Sequence, residues 1–515
     1  MKSSFPLLTV IIPAMIICLA GCSNPTGPNG KNGNTGYSQI KEVIFKDQTA
    51  TVKFNNLSNS NIYLVKVNKS ASIVPAANTG KADDFSPDLN DDTMQNASME
   101  TLAPMDHPAA IEFNASPPPV IEEPYRRLAV RFIPPVTGDK RNFWVETYFN
   151  SSIFEQKQAT LSATGLYGNI WVMDDNKIKL TPMQAQTLSD KFDLIYKAET
   201  NLLGFEYGGG PNGDGGRDGD PKIQILIHDI VDSTGTVMAA GYFWSKDYYP
   251  QSQYSNSNAA EIFYLDTSQV NSFPTYIYGT LIHEFQHMIN FNMKYLKYGK
   301  SSATWYDEML AMMSQDVISS IIDIGPTNIY HQTHVRIPTF LLNYNQIGIT
   351  EWDSLNSISY AKGYAFGAYL LRNYGGPVLL KRILSNDTTN TDSITLALKE
   401  FSGGLSFELA LARYGEALIY SSPKMPKGVM TFDKTVSSTI SGIKYTAYGF
   451  NIWSDFSQKG PFVFDLNPLN LRPHSLTVHS AGDWKNKTGS YSITLEKPND
   501  PNITLFLMAK QDANP

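Results

Sequence analysis

Short stretches that alternate apolar and polar residues open the ordered part of the chain. Glu42 to Phe54 and Asn61 to Val67 read this way, with the two-residue period of half-buried strands. Strand patterns return at Leu128 to Phe132, Phe143 to Val145 and Asn169 to Met173, then at Lys222 to Ile227 and Glu261 to Leu265. Between them Thr181-Pro182 opens a helix, because threonine caps and proline fits the first turn. Leu188, Phe192, Ile195 and Tyr196 continue it at helical spacing. From Pro274 to about Tyr420 the pattern is mostly helical. After about residue 425 strand-like alternation with turns resumes, up to Leu505 to Met508. No internal repeat is visible.

The punctuation divides the chain. Residues 23–37 are Gly, Asn and Pro with almost no hydrophobes, the composition of a flexible tether. Residues 80–125 are rich in Pro, Asn, Asp and Ser and read as loop, ending in the linker around Pro117, Pro118 and Pro119. The expected organisation is a leader over 1–22, the tether over 23–37, and an N-terminal β-domain with its linker over 38–125. A central mixed α+β domain over 126–424 and a C-terminal β-sandwich over 425–515 complete it.

The leader has its own chemistry. Phe5 to Cys18 is an apolar run broken by Pro6 and Pro13, and Leu19, Ala20, Gly21 and Cys22 close it. It is too short and too proline-broken for a good membrane span. Small residues before a cut mark a secretory signal, and a cysteine directly after the cut matches the bacterial lipobox, so Cys22 is expected to carry lipid. Several acyl chains anchor far more stably than one. The expected location is the bacterial cell envelope, lipid-anchored, at the outer membrane.

Composition narrows the chemistry. The 515 residues are 42% hydrophobic and carry a net charge of −7, with no basic block, so nucleic acid is not an expected partner. Cys18 and Cys22 are the only cysteines. The body therefore has no thiol to bind metal, attack a substrate or form a disulfide. Metal chemistry must use His and carboxylates.

Those residues occur at Leu281 to Asn290, which contains H-E-x-x-H as His283, Glu284 and His287. On a helix, residues four apart share one face, so two imidazoles can reach one zinc at ~2.0–2.1 Å. Glu284, one residue beyond the first histidine, is placed to act as a general base on water. Ser272 is a plausible cap and Pro274 stands near the helix start. A third ligand is found at Glu308, 21 positions after His287, on a second helix starting near Thr304. The loop containing Gly299 lets the chain reverse. His, His and Glu fill three zinc positions and leave a fourth open, as a catalytic site requires. Asp307 is the competing carboxylate, and Asp316 a candidate partner for a histidine. Further on, Tyr360 and Tyr364 are both candidate donors to a developing oxyanion. Each equally suits a helix core.

In that order, H-E-F-Q-H, W-x-x-E-x-x-A and Y-x-K-G resemble the gluzincin metallopeptidases. Within that group, residues 140 to 385 are most similar to the hyicolysin family of bacterial neutral metallopeptidases. Further shared features are G-D-x-x-x-F-W-V at Gly138 to Val145, D-G-D-P-K-I before the strand at Lys222, and W-Y-D-E-M-L. The resemblance implies a gluzincin-like domain, a mixed sheet plus a helical lobe, flanked by small β-domains. It implies one catalytic Zn2+ and selects Tyr360 as the oxyanion donor. The motif by which aminopeptidases grip a free amino terminus is absent before His283, which favours an endopeptidase acting on peptide or protein. The alternatives are an aminopeptidase and a catalytically inactive surface lipoprotein with a peptidase fold.

Lesser expectations complete the reading. Asp214, Asp218 and Asp220 in a glycine-rich turn could hold Ca2+. Glu261 to Leu265 could take extended substrate as an added strand. His331 and His334 read as structural.

Overall fold

The strand patterns condense into two main sheets in a computed structural model. It describes residues 39–80, 107–120, 132–353, 357–421, 428–467 and 469–511. Along the chain come β1 (Gln39–Glu42), β2 (Thr49–Asn68), α1 (Pro108–Ala115), β3 (Lys140–Glu146), β4 (Phe154–Thr164) and β5 (Gly168–Met173). Then follow α2 (Pro182–Leu203), β6 (Ile223–His228), β7 (Gly241–Phe243), β8 (Ile262–Asp266), α3 (Thr267–Ser272) and α4 (Pro274–Asn290). The helical lobe adds α5 (Thr304–Ile318), α6 (Gln332–Asn343), α7 (Ser357–Asn373), α8 (Pro377–Ser385), α9 (Asn390–Phe401) and α10 (Phe407–Ile419). The chain closes with β9 (Val436–Ile440), β10 (Ile443–Ala447), β11 (Ser475–Glu496) and β12 (Ile503–Gln511). The expected mixed α+β architecture is present.

The central sheet has the order β3-β4-β5-β6-β8-β7. Its inner strands β5, β6 and β8 run parallel and are buried at every position. Such nearly continuous burial belongs to strands covered on both faces. One face, with Ile170, Ile225, Ile227, Phe263 and Leu265, joins the core shared with α2 and α4. The other, with Trp171, Leu226 and Tyr264, packs a second core beneath α1. Helix α2 starts as expected: Pro182 takes the first turn, and Thr181 and Gln184 form a reciprocal capping box.

The second sheet corrects the expected boundaries. Its order is β1-β12-β2-β11, so strands from 39–68 and 475–511 form one sheet, and the two ends do not make separate β-domains. The reason lies in β2, which is central. Ile62 and Leu64 face one core and Tyr63, Val65 and Val67 the other, and both its edges need partners, supplied by β11 and β12. The expected loop at 80–125 is also partly replaced. His107 precedes an eight-residue helix, α1, with Pro108 at its first turn.

Three histidines give the fold a pH dependence. Burial pushes His228 down to about 3, and His331 and His479 to about 4. An unfolded imidazole takes its proton near pH 6.5. Below that pH the unfolded chain therefore binds more protons than the folded one, so stability falls as pH falls toward 4. Each group contributes roughly 1.4 kcal/mol per pH unit to that fall. Glu199, Glu206 and Glu261, which burial raises, act in the opposite sense over the same range, so the histidine share is read by difference: the urea midpoint of His479→Gln should fall less between pH 7 and pH 5 than that of the parent. Parallel changes in the two proteins would show that this imidazole protonates in place.

Candidate metal centre

Helix α4 begins at Pro274 without a side-chain cap, directly after α3, whose own cap is Asp266. Ser272 is thus the last residue of α3 and caps nothing. α4 carries His283, Glu284 and His287, all buried. The chain turns back after a π-helical turn at Phe291–Leu296, with Gly299 at φ +64°, and α5 begins at Thr304 as expected. This brings Glu308 to the two histidines. Its Oε2 lies 2.9 Å from His283 Nε2 and its Oε1 3.5 Å from His287 Nε2. One ligand atom from each of the three residues lies within 4.8 Å of the others.

The remaining imidazole nitrogens are held as well. Gln315 donates its amide N–H to the Gly279 carbonyl at 2.9 Å, which leaves its Oε1 to accept from His283 Nδ1 at 3.2 Å. Gly279 permits this approach, because a Cβ there would stand 3.2 Å from Gln315 Nε2. Asp307 Oδ1 lies 3.1 Å from His287 Nδ1. The carboxylate weighed as a rival ligand thus stands behind the ring as an ion-pair neighbour, without a hydrogen bond of good geometry to it. Gln315 was not foreseen, although it stands two helical turns beyond Glu308 on the same face.

These bonds fix the donor set. With Nδ1 of His283 donating to Gln315, Nε2 presents a lone pair to a carboxylate oxygen 2.9 Å away. Two acceptors at that distance in a buried site require a cation between them, a proton or a metal. Burial lowers His283, and Glu308 only partly offsets it. Burial would lower His287 too, but Asp307 and Glu308 overcome it and hold the imidazole at about 10. Burial would raise Glu308, and the two histidines pull it below its usual value instead. Two imidazole nitrogens and one carboxylate are a fitting set for zinc.

The other candidates are distributed as follows. Tyr364 donates to or accepts from Thr333 Oγ1 at 2.9 Å. The buried Tyr360 hydroxyl has no hydrogen-bond partner among the described residues, and its ring is held between the Arg336 guanidinium, 4.8 Å away, and Trp352, 4.9 Å away. Lys362 of the Y-x-K-G sequence donates to the Gly348 and Glu351 carbonyls. Asp316 pairs with Arg372 and not with a metal-site histidine. The aspartates considered for Ca2+ do not converge. Asp218 is bound by Arg141 and by the Asp220 amide. Asp220 is taken by Asn169, Lys222 and Gln224. Asp214 accepts from the Gly216 amide. Glu261 accepts from the Arg217 amide of the same turn. Cys22 lies outside the described residues.

The strand expected to receive substrate is an inner one, since β8 lies between β6 and β7. The sheet ends in β3 and β7, and β7 is the edge beside the histidine cluster. The Asp266 amide donates to the Ala240 carbonyl, so by antiparallel alternation Phe243, opposite Phe263, turns its backbone groups outward. A cavity at that edge is lined by Phe243, Glu284, His287, Asp307 and Glu308.

A family model described as Peptidase M30 matches residues 150–435, more than half of the chain and the whole of this site. The chain is also similar to the neutral metalloprotease ShpI of Staphylococcus hyicus. The two are 30% identical over 256 residues, covering 47% of this chain and 54% of that protein. The chain thus spans about half the length of that relative.

Proposed function

The chain belongs to the peptidase M30 family, and from that premise we propose that it is a zinc endopeptidase with Glu284 as its general base. The observation that carries the reading is the meeting of His283, His287 and Glu308 within 4.8 Å, at a cavity lined by Glu284, His287 and Glu308. These three residues would hold the ion. When bound, zinc supplies Lewis acidity, which polarises a carbonyl and makes water easier to deprotonate.

The protein's own groups do the rest. Glu284 takes a proton from the attacking water and delivers it to the leaving amine. Tyr360, whose hydroxyl has no other partner among the described residues, donates to the developing oxyanion. Gln315 keeps the His283 ring turned toward Glu308, and Asp307 lies 3.1 Å behind His287 as an ion-pair neighbour. The outward backbone groups of Phe243, whose carbonyl accepts from Asn114 in this structure, are those an extended peptide would pair with, which suits cleavage within a chain. The lipobox at Leu19 to Cys22 supports a lipid anchor at the cell envelope.

Purified protein should contain zinc and cleave an internally quenched peptide whose amino terminus is blocked. A chelator should stop that cleavage. Failure to bind added zinc would refute the reading, and cleavage of unblocked peptides alone would make it an aminopeptidase. Cys22→Ala should move the protein from the membrane to the soluble fraction. Unchanged membrane retention would remove the anchor from the proposal.

A further inference from the structure

The cavity in front of Glu284 has a roof that lies outside the family match. His107, Ala110, Ile111 and Asn114, from the segment bearing α1, line it together with Glu284, His287 and Glu308. The segment is fastened at three places. At its start, the His107 ring lies 2.7 Å from Glu146 Oε2 and is stacked on Trp244 at 5.1 Å. At its end, the Pro118 carbonyl accepts from the hydroxyls of Tyr249 and Tyr295 at 2.6 and 2.7 Å. Between these, the Asn114 carboxamide grips the edge of the central sheet. Its Nδ2 donates to the Phe243 carbonyl at 2.9 Å, and its Oδ1 accepts from the Ser245 amide at 2.8 Å and the Ser245 hydroxyl at 2.7 Å.

The Asn114 contacts have a chemical meaning. A carboxamide has the donor and acceptor of a peptide group. Asn114 therefore occupies the Phe243 carbonyl and Ser245 amide, the groups that an added strand would use. The backbone around it is helical and not extended. It covers the edge without presenting an extended peptide bond to Glu284.

We propose that residues 107–120 form an intramolecular inhibitor, a helical strap that must leave the β7 edge before an extended peptide can bind. This rests on the peptidase reading above. Polar anchors act beside apolar ones, since Ala110 lies in the core beneath the segment and Phe113 packs edge-on against Tyr249 and Tyr254, and loss of a polar anchor should shift the balance between covered and open cleft.

The test uses the full chain and two variants, Asn114→Ala and Tyr295→Phe. The second keeps the proposal testable where the first fails to fold. Hydrogen exchange over residues 240–248 reports release of the strap and needs neither metal nor turnover. Cleavage of the quenched peptide reports the open site. Loss of one or two such anchors should raise both by roughly three- to thirty-fold. A synthetic peptide of residues 107–120 should slow the variants again. Faster exchange with cleavage unchanged or reduced from a measurable parental rate overturns the strap as an inhibitor. So does unchanged exchange in folded variants. Absence of cleavage in parent and variants alike, with exchange raised, refutes the peptidase reading, and the inhibition falls with it.

Discussion

Glu284→Gln should bind zinc like the parent and lose about 10²- to 10⁴-fold in turnover, the contribution of a positioned general base. Glu284 is buried beside His283 and His287, and glutamine keeps its volume and its capacity to hydrogen bond. It cannot take a proton from water. The ligands are untouched, so metal content separates this variant from Glu308→Gln, which should lose zinc together with activity. Zinc content and turnover measured on the same preparation decide the matter. A Glu284→Gln protein retaining a tenth or more of the parental rate would assign the proton transfer to another group.

The metal site was legible because its chemistry is local. His283 and His287 are one turn apart, and a single reversal brings α5 back with Glu308. Gln315 carries no such signal, because a carboxamide is not a usual zinc ligand and only the fold sets it behind His283. Asp316, one position further round α5, points to α7 and meets Arg372 instead. The edge of the sheet beside the cavity was missed for a related reason. Ile262 to Leu265 is an obvious strand because it is continuously apolar, and that same continuity marks an inner strand. The true edge, β7, is three residues long, too short for any period to show.

Longer-range features left weaker traces. Nothing in Thr49–Asn68 announces pairing with Ser475–Glu496 and Ile503–Gln511, since alternation defines a face but not a partner. Helix α1 had a signal in Pro108 followed by Ala109, Ala110 and Ile111, a proline-led start. It was obscured by turn-forming residues on both sides. The aspartates at 214, 218 and 220 show the opposite failure. Their composition suggested an ion, and the backbone amides and Arg141 that occupy them could be found only after folding.

Asp316→Ala should cost about 3–5 kcal/mol of stability, the usual consequence of leaving one member of a buried ion pair alone. Arg372 is fully buried and gives Asp316 two hydrogen bonds, at 2.7 and 3.2 Å. Its guanidinium also serves the Tyr448 and Ala368 carbonyls, so it cannot swing out to water when the carboxylate is removed. The double variant Asp316→Leu with Arg372→Met removes both charges and should recover a substantial part of the loss, as replacing a buried pair with apolar groups often does. Urea midpoints of the parent, of Asp316→Leu and Arg372→Met singly, and of the double variant close a cycle that isolates the coupling. A single variant as stable as the parent would show that the pair does not bind α5 to α7. The same pair connects stability to chemistry, because α5 carries Glu308 and α7 carries Tyr360. Glycines at 363 and 367 let the two helices approach so closely that a Cβ at Gly367 would meet Met313 at 2.6 Å. Loosening that contact should therefore weaken zinc retention in Asp316→Ala before the protein unfolds, and the double variant should restore it along with the fold.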